Sequence, residues 1–323
     1  MKKLLLLVAI TLLVVSGCAK ADPVYKVGTG SYTTVAPRAA GDATGRIQVN
    51  VTFATVVMDA DGKFVQVFID VAQNEGTFDV EGTILKAEAA ATKKEKGDAY
   101  NMKPRSPIGK EWYEQIAVLE QWMVGKTLAE VLAMPLEANK PTGDDLVSSV
   151  TITVDGYLNA VEAAAKNAVE LKGVAKVGSG SVTSVAPRAV TADVMGRIQV
   201  NTTFAGLALD KDGKVLHVFI DVAQNEGTFD LDGAIVKAEA APTKREKGDA
   251  YNMKPRSPIG KEWYEQIEAL EAWMLGKTVA EVLAMPLADR KPTGDDLVSS
   301  VTITVDGYLG AVEAASKDTR DLK

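Results

Sequence analysis

One cysteine and one histidine in 323 residues leave little metal or sulfur chemistry open. With Cys18 as the lone thiol no internal disulfide can form, so apolar cores must hold the fold. No Cys/His cluster exists to attach haem, carry an iron–sulfur centre or build a typical zinc site. The single histidine, His217, is replaced by Gln66 in an internal repeat, which argues against a catalytic or metal-binding imidazole. A nucleophile–base set is also missing, so the chain is not expected to be an enzyme. Positive charge is short too. The net charge of −7 becomes −9 when residues 1–17, with Lys2 and Lys3, are removed. An acidic body argues against nucleic acid and against adsorption to anionic lipid. No long Gly/Ser- or Pro-rich linker divides the chain, so its domains are expected to sit close together.

What is present begins with a segment of different character. Lys2 and Lys3 precede an apolar run, Leu4 to Val15, followed by the small residues Ser16 and Gly17. This is a secretory signal pattern, too short to span a membrane comfortably. Val15-Ser16-Gly17-Cys18 resembles the bacterial lipobox, so residues 1–17 are expected to be cut away and Cys18 to carry lipid. Two or three acyl chains would then anchor the protein stably through a tether over 18–25.

The remainder is one domain written twice, with a period near 151 residues. VFIDVAQNEGTFD recurs at Val67 and Val218, and EKGDAYNMKPRSPIGKEWYEQI at Glu95 and Glu246. So long a period means duplication of a whole domain rather than a solenoid. The copies are expected over 26–172 and 173–323, the first ending on a helix closed by Gly173. Ile47, Val49, Val51 and Phe53 alternate as in a half-buried strand, and Asp59 to Gly62 marks a hairpin returning through Phe64 to Ile69. Trp112, Ile116, Leu119 and Met123 have helical spacing, with Gly125 after them. Thr127 suits the cap of a short helix over Leu128 to Met134, and a last helix is expected from about Val154 with Thr153 available as its cap. Strands followed by helices read as α+β, an antiparallel sheet flanked by helices in each copy.

Several motifs carry no weight. Asp59-x-Asp61-Gly62 and its twin at Asp210 lack most calcium ligands and read as turns. Gly28-Thr29-Gly30 lacks the third glycine and helix of a nucleotide loop. The Asn50 and Asn201 sequons lie in expected strands. More informative is PTGDDLVSSVTITVDGYL, identical at Pro141 and Pro292. It places acids (Asp145, Asp296) and hydroxyls (Ser148 to Thr151, Ser299 to Thr302) just before a helix, where free N–H groups and the macrodipole favour an anion. Tyr100 and Met102, with Tyr251 and Met253, lie in loops where they either pack on the core or face a flat aromatic ligand.

The doubled block resembles the acceptor motif of the FMN-binding domain family, in which a separate enzyme esterifies FMN through its phosphate to a threonine. Asp145-Leu146-Val147-Ser148-Ser149-Val150-Thr151 and Asp296 to Thr302 align with it, with Ser149 and Val150 where the motif has glycine and alanine. The Gly-Asp-Ala-Tyr-Asn-Met-Lys and Gly-Lys-Glu-Trp-Tyr-Glu-Gln segments, with the lipobox, look like tandem-domain flavinylated lipoproteins of extracellular electron transfer. The resemblance implies covalent FMN on Thr151 and Thr302, with Ser148, Ser149 and Thr153 as neighbouring acceptors. Trp112, Tyr100 and Met102, with Trp263, Tyr251 and Met253, are the ring contacts expected with it. It implies as partners an FMN transferase, a membrane NADH:quinone-type oxidoreductase or the quinone pool, and extracellular electron acceptors. The location would be the outer face of a bacterial cell membrane. A second reading is a non-redox surface lipoprotein that binds a small ligand or partner through the same clefts. A third makes the excised segment from Ile10 to Gly17 a peptide signal.

Overall fold

Alternating side chains on long strands, with small residues where helices cross them, set the architecture of the computed structural model. It describes residues 23–322. The expected signal segment, Cys18 and tether residues 19–22 lie outside the described residues. The first domain contains β1 (Val24–Arg38), β2 (Gly45–Met58), β3 (Phe64–Phe78), β4 (Ile84–Lys86), α1 (Lys93–Lys96), α2 (Trp112–Met123), α3 (Leu128–Leu132), β5 (Leu136–Glu137), β6 (Lys140–Pro141), α4 (Asp155–Lys166) and β7 (Val169–Lys172). The second repeats it with β8 (Lys176–Arg188), β9 (Gly196–Leu209), β10 (Val215–Phe229), β11 (Ile235–Ala238), α5 (Lys244–Lys247), α6 (Trp263–Met274), α7 (Val279–Leu283), β12 (Leu287–Ala288), β13 (Lys291–Pro292), α8 (Asp306–Lys317) and β14 (Arg320–Asp321). Each domain is α+β, with a five-stranded antiparallel sheet ordered β4-β3-β2-β1-β7 or β11-β10-β9-β8-β14. Among the described residues no helix is long and apolar enough to cross a membrane.

Both faces of each sheet are covered. Ala54, Val56, Ile69 and Val71 turn toward α2 and α4, where Trp112, Ile116, Leu158 and Val161 meet them. Helix α4 comes close because Gly28 and Gly30 lie beneath it: a Cβ on Gly28 would stand 2.1 Å from the Ala164 carbonyl oxygen. The alternate residues Ile47, Val49, Val51, Phe53 and Phe78 form one core with Ile198, Val200, Phe204 and Phe229 of the other domain. At its centre the rings of Phe78 and Phe229 stack 3.7 Å apart, and the Thr55 hydroxyl donates to Ser179 Oγ at 2.9 Å. The packing is reciprocal. Gly76 leaves room for Ile198, and Gly227 for Ile47. The halves are therefore joined sheet to sheet, burying strand faces that would be a wet surface in a lone domain.

The hairpin after β2 is a turn: Asp59 Oδ1 accepts the amides of Asp61 (3.0 Å) and Lys63 (2.9 Å). Several expectations need correction. The returning strand does not stop at Ile69 but runs to Phe78, because polar Gln73 and Glu75 continue it on the helix-side face. Helix α4 ends at Lys166, and residues expected to lengthen it form β7, which pairs Val169 to Lys172 with β1. The short helix ends at Leu132 rather than Met134. Thr153 is not the α4 cap. Val154 occupies that place without a side-chain bond, because its side chain is buried in the core. Strand β1 starts at Val24, inside the span expected as tether.

Candidate functional site

The segment from Gly143 to Val154 is a one-sided helical coil followed by an extended turn into α4. Leu146 and Val147 amides donate to Gly143, and Ser149 and Val150 amides to Leu146. Leu146, Val150 and Val154, four residues apart, are buried in the core, so Val147 and Ser148 between them are left facing outward. Ser148 is exposed, while Ser149 and Thr151 are half-buried. The valine at the motif's alanine position thus serves as an anchor.

Thr151 is pinned by a residue that sequence reasoning missed. Gln115, fully buried on α2, accepts the Thr151 amide at 2.9 Å and its hydroxyl at 3.3 Å through the same oxygen. Its nitrogen donates to Ser106 Oγ at 3.2 Å. Gln266 treats Thr302 identically, with the same 2.9 Å and 3.3 Å distances. Esterification of the hydroxyl would release the longer bond and keep the shorter. The only sequence signal was a glutamine on the apolar face of a helix, within a block preserved between copies.

Asp145 does not face the threonine. Its carboxylate takes the Trp122 indole N–H, and Lys126 Nζ lies 4.3 Å from that ring centre. Asp296, Trp273 and Lys277 repeat this, with 4.2 Å to the ring. The aspartate ties the coil to the end of α2 or α6. Ser148 and Ser299 are exposed and flank the threonines.

The Tyr100 and Met102 loop is fixed from two sides. Glu111, almost wholly buried ahead of α2, accepts the amides of Met102 and Lys103, each at 2.9 Å. Tyr113 donates to Asp98 at 3.0 Å. The half-buried Tyr100 donates to Gln73 Oε1 at 3.3 Å, and Lys93 Nζ lies 5.0 Å from its ring centre. Burial, offset in part by Asp70, brings the Lys93 ammonium down to about 8. Lys244 is likewise down to about 8, with Tyr251 beneath it at 5.0 Å. Met102 and Met253 are half-buried against the core. Trp112, 1% exposed, lies under the site rather than on its surface. Its indole donates to Tyr157 Oη at 2.8 Å, edge-on at 67°, and burial pushes the Tyr157 phenol up to about 12. Trp263 and Tyr308 repeat the pair at 2.7 Å.

In the second domain these elements enclose an open cleft of about 480 Å³ on the helix-side face of the sheet. Gln199, Asn201 and Gln224 form its floor, Tyr251 and Lys244 one wall, and Thr304 with the start of α8 the other. Thr302 is not on its lining; Thr304, two residues on, is. Gln199 donates to Asn201 at 3.0 Å, and Gln48 to Asn50 at 2.8 Å in the first domain. The supposed sequons therefore belong to an amide row. Amides for a heterocycle edge, an aromatic flank and an ammonium suit a planar ring with an anionic arm.

No family model matches the chain, and no solved structure matches it. Over 96 residues it is 38% identical to a chlorophenol reductase of Desulfitobacterium hafniense. That stretch covers 26% of this chain and 29% of the reductase, so the likeness spans less than a third of either protein.

Proposed function

We propose that this chain is a lipid-anchored electron carrier on the outer face of a bacterial membrane, with FMN esterified to Thr151 and Thr302. Each domain is then of the FMN-binding kind, and the chain itself is not an enzyme. The observation that carries the reading is the twin acceptor segment: a half-buried threonine held by a buried glutamine, two residues ahead of a threonine at an amide-floored cleft or its counterpart. A relative over part of the chain that is named a reductase supports a redox role.

A bound flavin would supply the redox chemistry, while the chain binds, orients and tunes it. Gln115 and Gln266 hold the acceptor backbone. Tyr100 and Tyr251 flank the ring, with Trp112 and Trp263 stiffening the site through Tyr157 and Tyr308. The amide rows offer donors and acceptors to the ring's polar edge. An ester bond prevents loss of the cofactor outside the cell. Electrons would come from a membrane NADH:quinone-type oxidoreductase or the quinone pool and leave to extracellular acceptors. Attachment would need a separate FMN transferase, and Cys18 would carry the lipid.

The test is co-expression with such a transferase, followed by denaturing electrophoresis and in-gel flavin fluorescence. Thr151→Val and Thr302→Val should each remove about half of the signal, and the double variant nearly all. Undiminished fluorescence in the double variant would move the acceptor to other residues, and no fluorescence in any form would end the flavin reading.

A further inference from the structure

The two domains repeat each other closely, so the positions at which their clefts differ are informative. The first is the hairpin beside the helix start. Ala138-Asn139 in the first domain and Asp289-Arg290 in the second both turn with positive φ, 47° and 62° against 48° and 65°. Asparagine tolerates the left-handed region, whereas a long side chain such as arginine is disfavoured there. Arg290 is held in it all the same: its carbonyl accepts the Val305 amide at 2.8 Å, and its side chain lines the cleft. Its guanidinium reaches Asp306 at 3.6 Å. In the first domain Asn139 offers no charge to the matching Asp155. Both hairpins carry one acidic residue, Glu137 or Asp289, so the arginine is a net added cation. The second difference is Tyr32, whose ring lies 3.6 Å from the Cβ position of Gly156 at the start of α4. Val182, a lining residue, replaces it in the second domain.

We infer that the two clefts are set to unequal electron affinity, with Arg290 making the second domain the stronger acceptor and the first domain its donor. This rests on the flavin reading above. Reduction adds negative charge to whatever ring the cleft holds. A guanidinium in the wall favours that charge, and the first domain has no counterpart to it. In the step this implies, the flavin of the first domain is oxidised as that of the second is reduced. The same electrons leave one and enter the other, no covalent bond is made or broken, and protons exchange with water. Reducing equivalents enter from a membrane quinol or NADH oxidoreductase. Arg290 is largely solvent-exposed, so the bias is modest, about two- to five-fold in the distribution of electrons, and weakened by salt.

The experiment is spectroelectrochemical titration of the lipid-free flavinylated chain carrying either Thr302→Val or Thr151→Val, which leaves one site loaded. The second-domain site should have the higher midpoint potential. Arg290→Asn should lower it toward the first, Asn139→Arg should raise the first-domain site, and high salt should narrow the gap. Coincident or reversed potentials, or an Arg290→Asn variant that leaves the potential unmoved, would overturn this inference and leave the flavin reading intact. Colourless protein at both sites would overturn the flavin reading and this inference with it.

Discussion

Replacing Gln115 by methionine keeps the length of the side chain in a fully buried position and removes every polar contact that it makes. Three hydrogen bonds go: from the Thr151 amide at 2.9 Å, from its hydroxyl at 3.3 Å, and to Ser106 at 3.2 Å. A typical bond contributes roughly 0.5–1.5 kcal/mol net, and a donor stranded without a partner costs about 1–3 kcal/mol. Thr151 is only half-buried, so water recovers part of the loss, while the thioether adds a little apolar burial. The expected cost is about 2 kcal/mol. Gln266→Met must cost the same within about 0.5 kcal/mol, since its three bonds match in length. Urea unfolding gives the stability change. Native-state hydrogen exchange gives the local one, where about 2 kcal/mol means an acceleration of roughly 30-fold at the Thr151 amide. A Gln115→Met protein with unchanged stability and an equally protected Thr151 amide would refute the claim that this glutamine holds Thr151.

Other predictions concern the parts around it. Burial and the nearby Arg245 charge bring the His217 imidazole down to about 4, so the unfolded chain takes up its proton first. The resulting penalty is absent above pH 6.5, grows as pH falls, and is complete below about 4. His217→Gln should therefore gain up to about 3 kcal/mol over wild type near pH 4 and nothing at pH 8, read from urea melts across pH. Asp70 and Asp221, raised by burial to about 6, run the other way: stability is lost as pH rises from 3.8 through 6. Both proteins share that slope, so it cancels in the comparison. Residues 23–172 expressed alone should self-associate through the Ile47, Val49, Val51 and Phe78 face, and a lone domain that stays monomeric on a sizing column with light scattering would contradict the shared core. Gly227→Val, which aims its Cβ to within 2.5 Å of Ile47, should cost about 1–3 kcal/mol by overpacking that core.

The sequence carried the duplication, the hairpin at Asp59 and the α2 and α3 helices, because each leaves a short-range mark: a turn residue, a cap or helical spacing. It concealed what depends on contacts distant along the chain. Half of each strand is covered by the other domain, which made β2 look half-exposed, and the polar residues Gln73 and Glu75 cut β3 short in a reading based on apolar runs. Gln115 could not be assigned from periodicity, since its role depends on Thr151, 36 residues on. Trp112 sat in the right block, yet helix-face geometry places it under Tyr157 and not at the surface. The clefts were legible as motifs, but the amide row at Gln48, Asn50 and Gln73 became visible only once β2 and β3 lay side by side.

The central claim is most directly tested by the intact mass and visible spectrum of the mature protein purified from its own host. The account predicts a yellow protein carrying lipid on Cys18 and two FMN groups, on Thr151 and Thr302. A colourless protein with both threonines bare, from cells that possess the transferase, would contradict it.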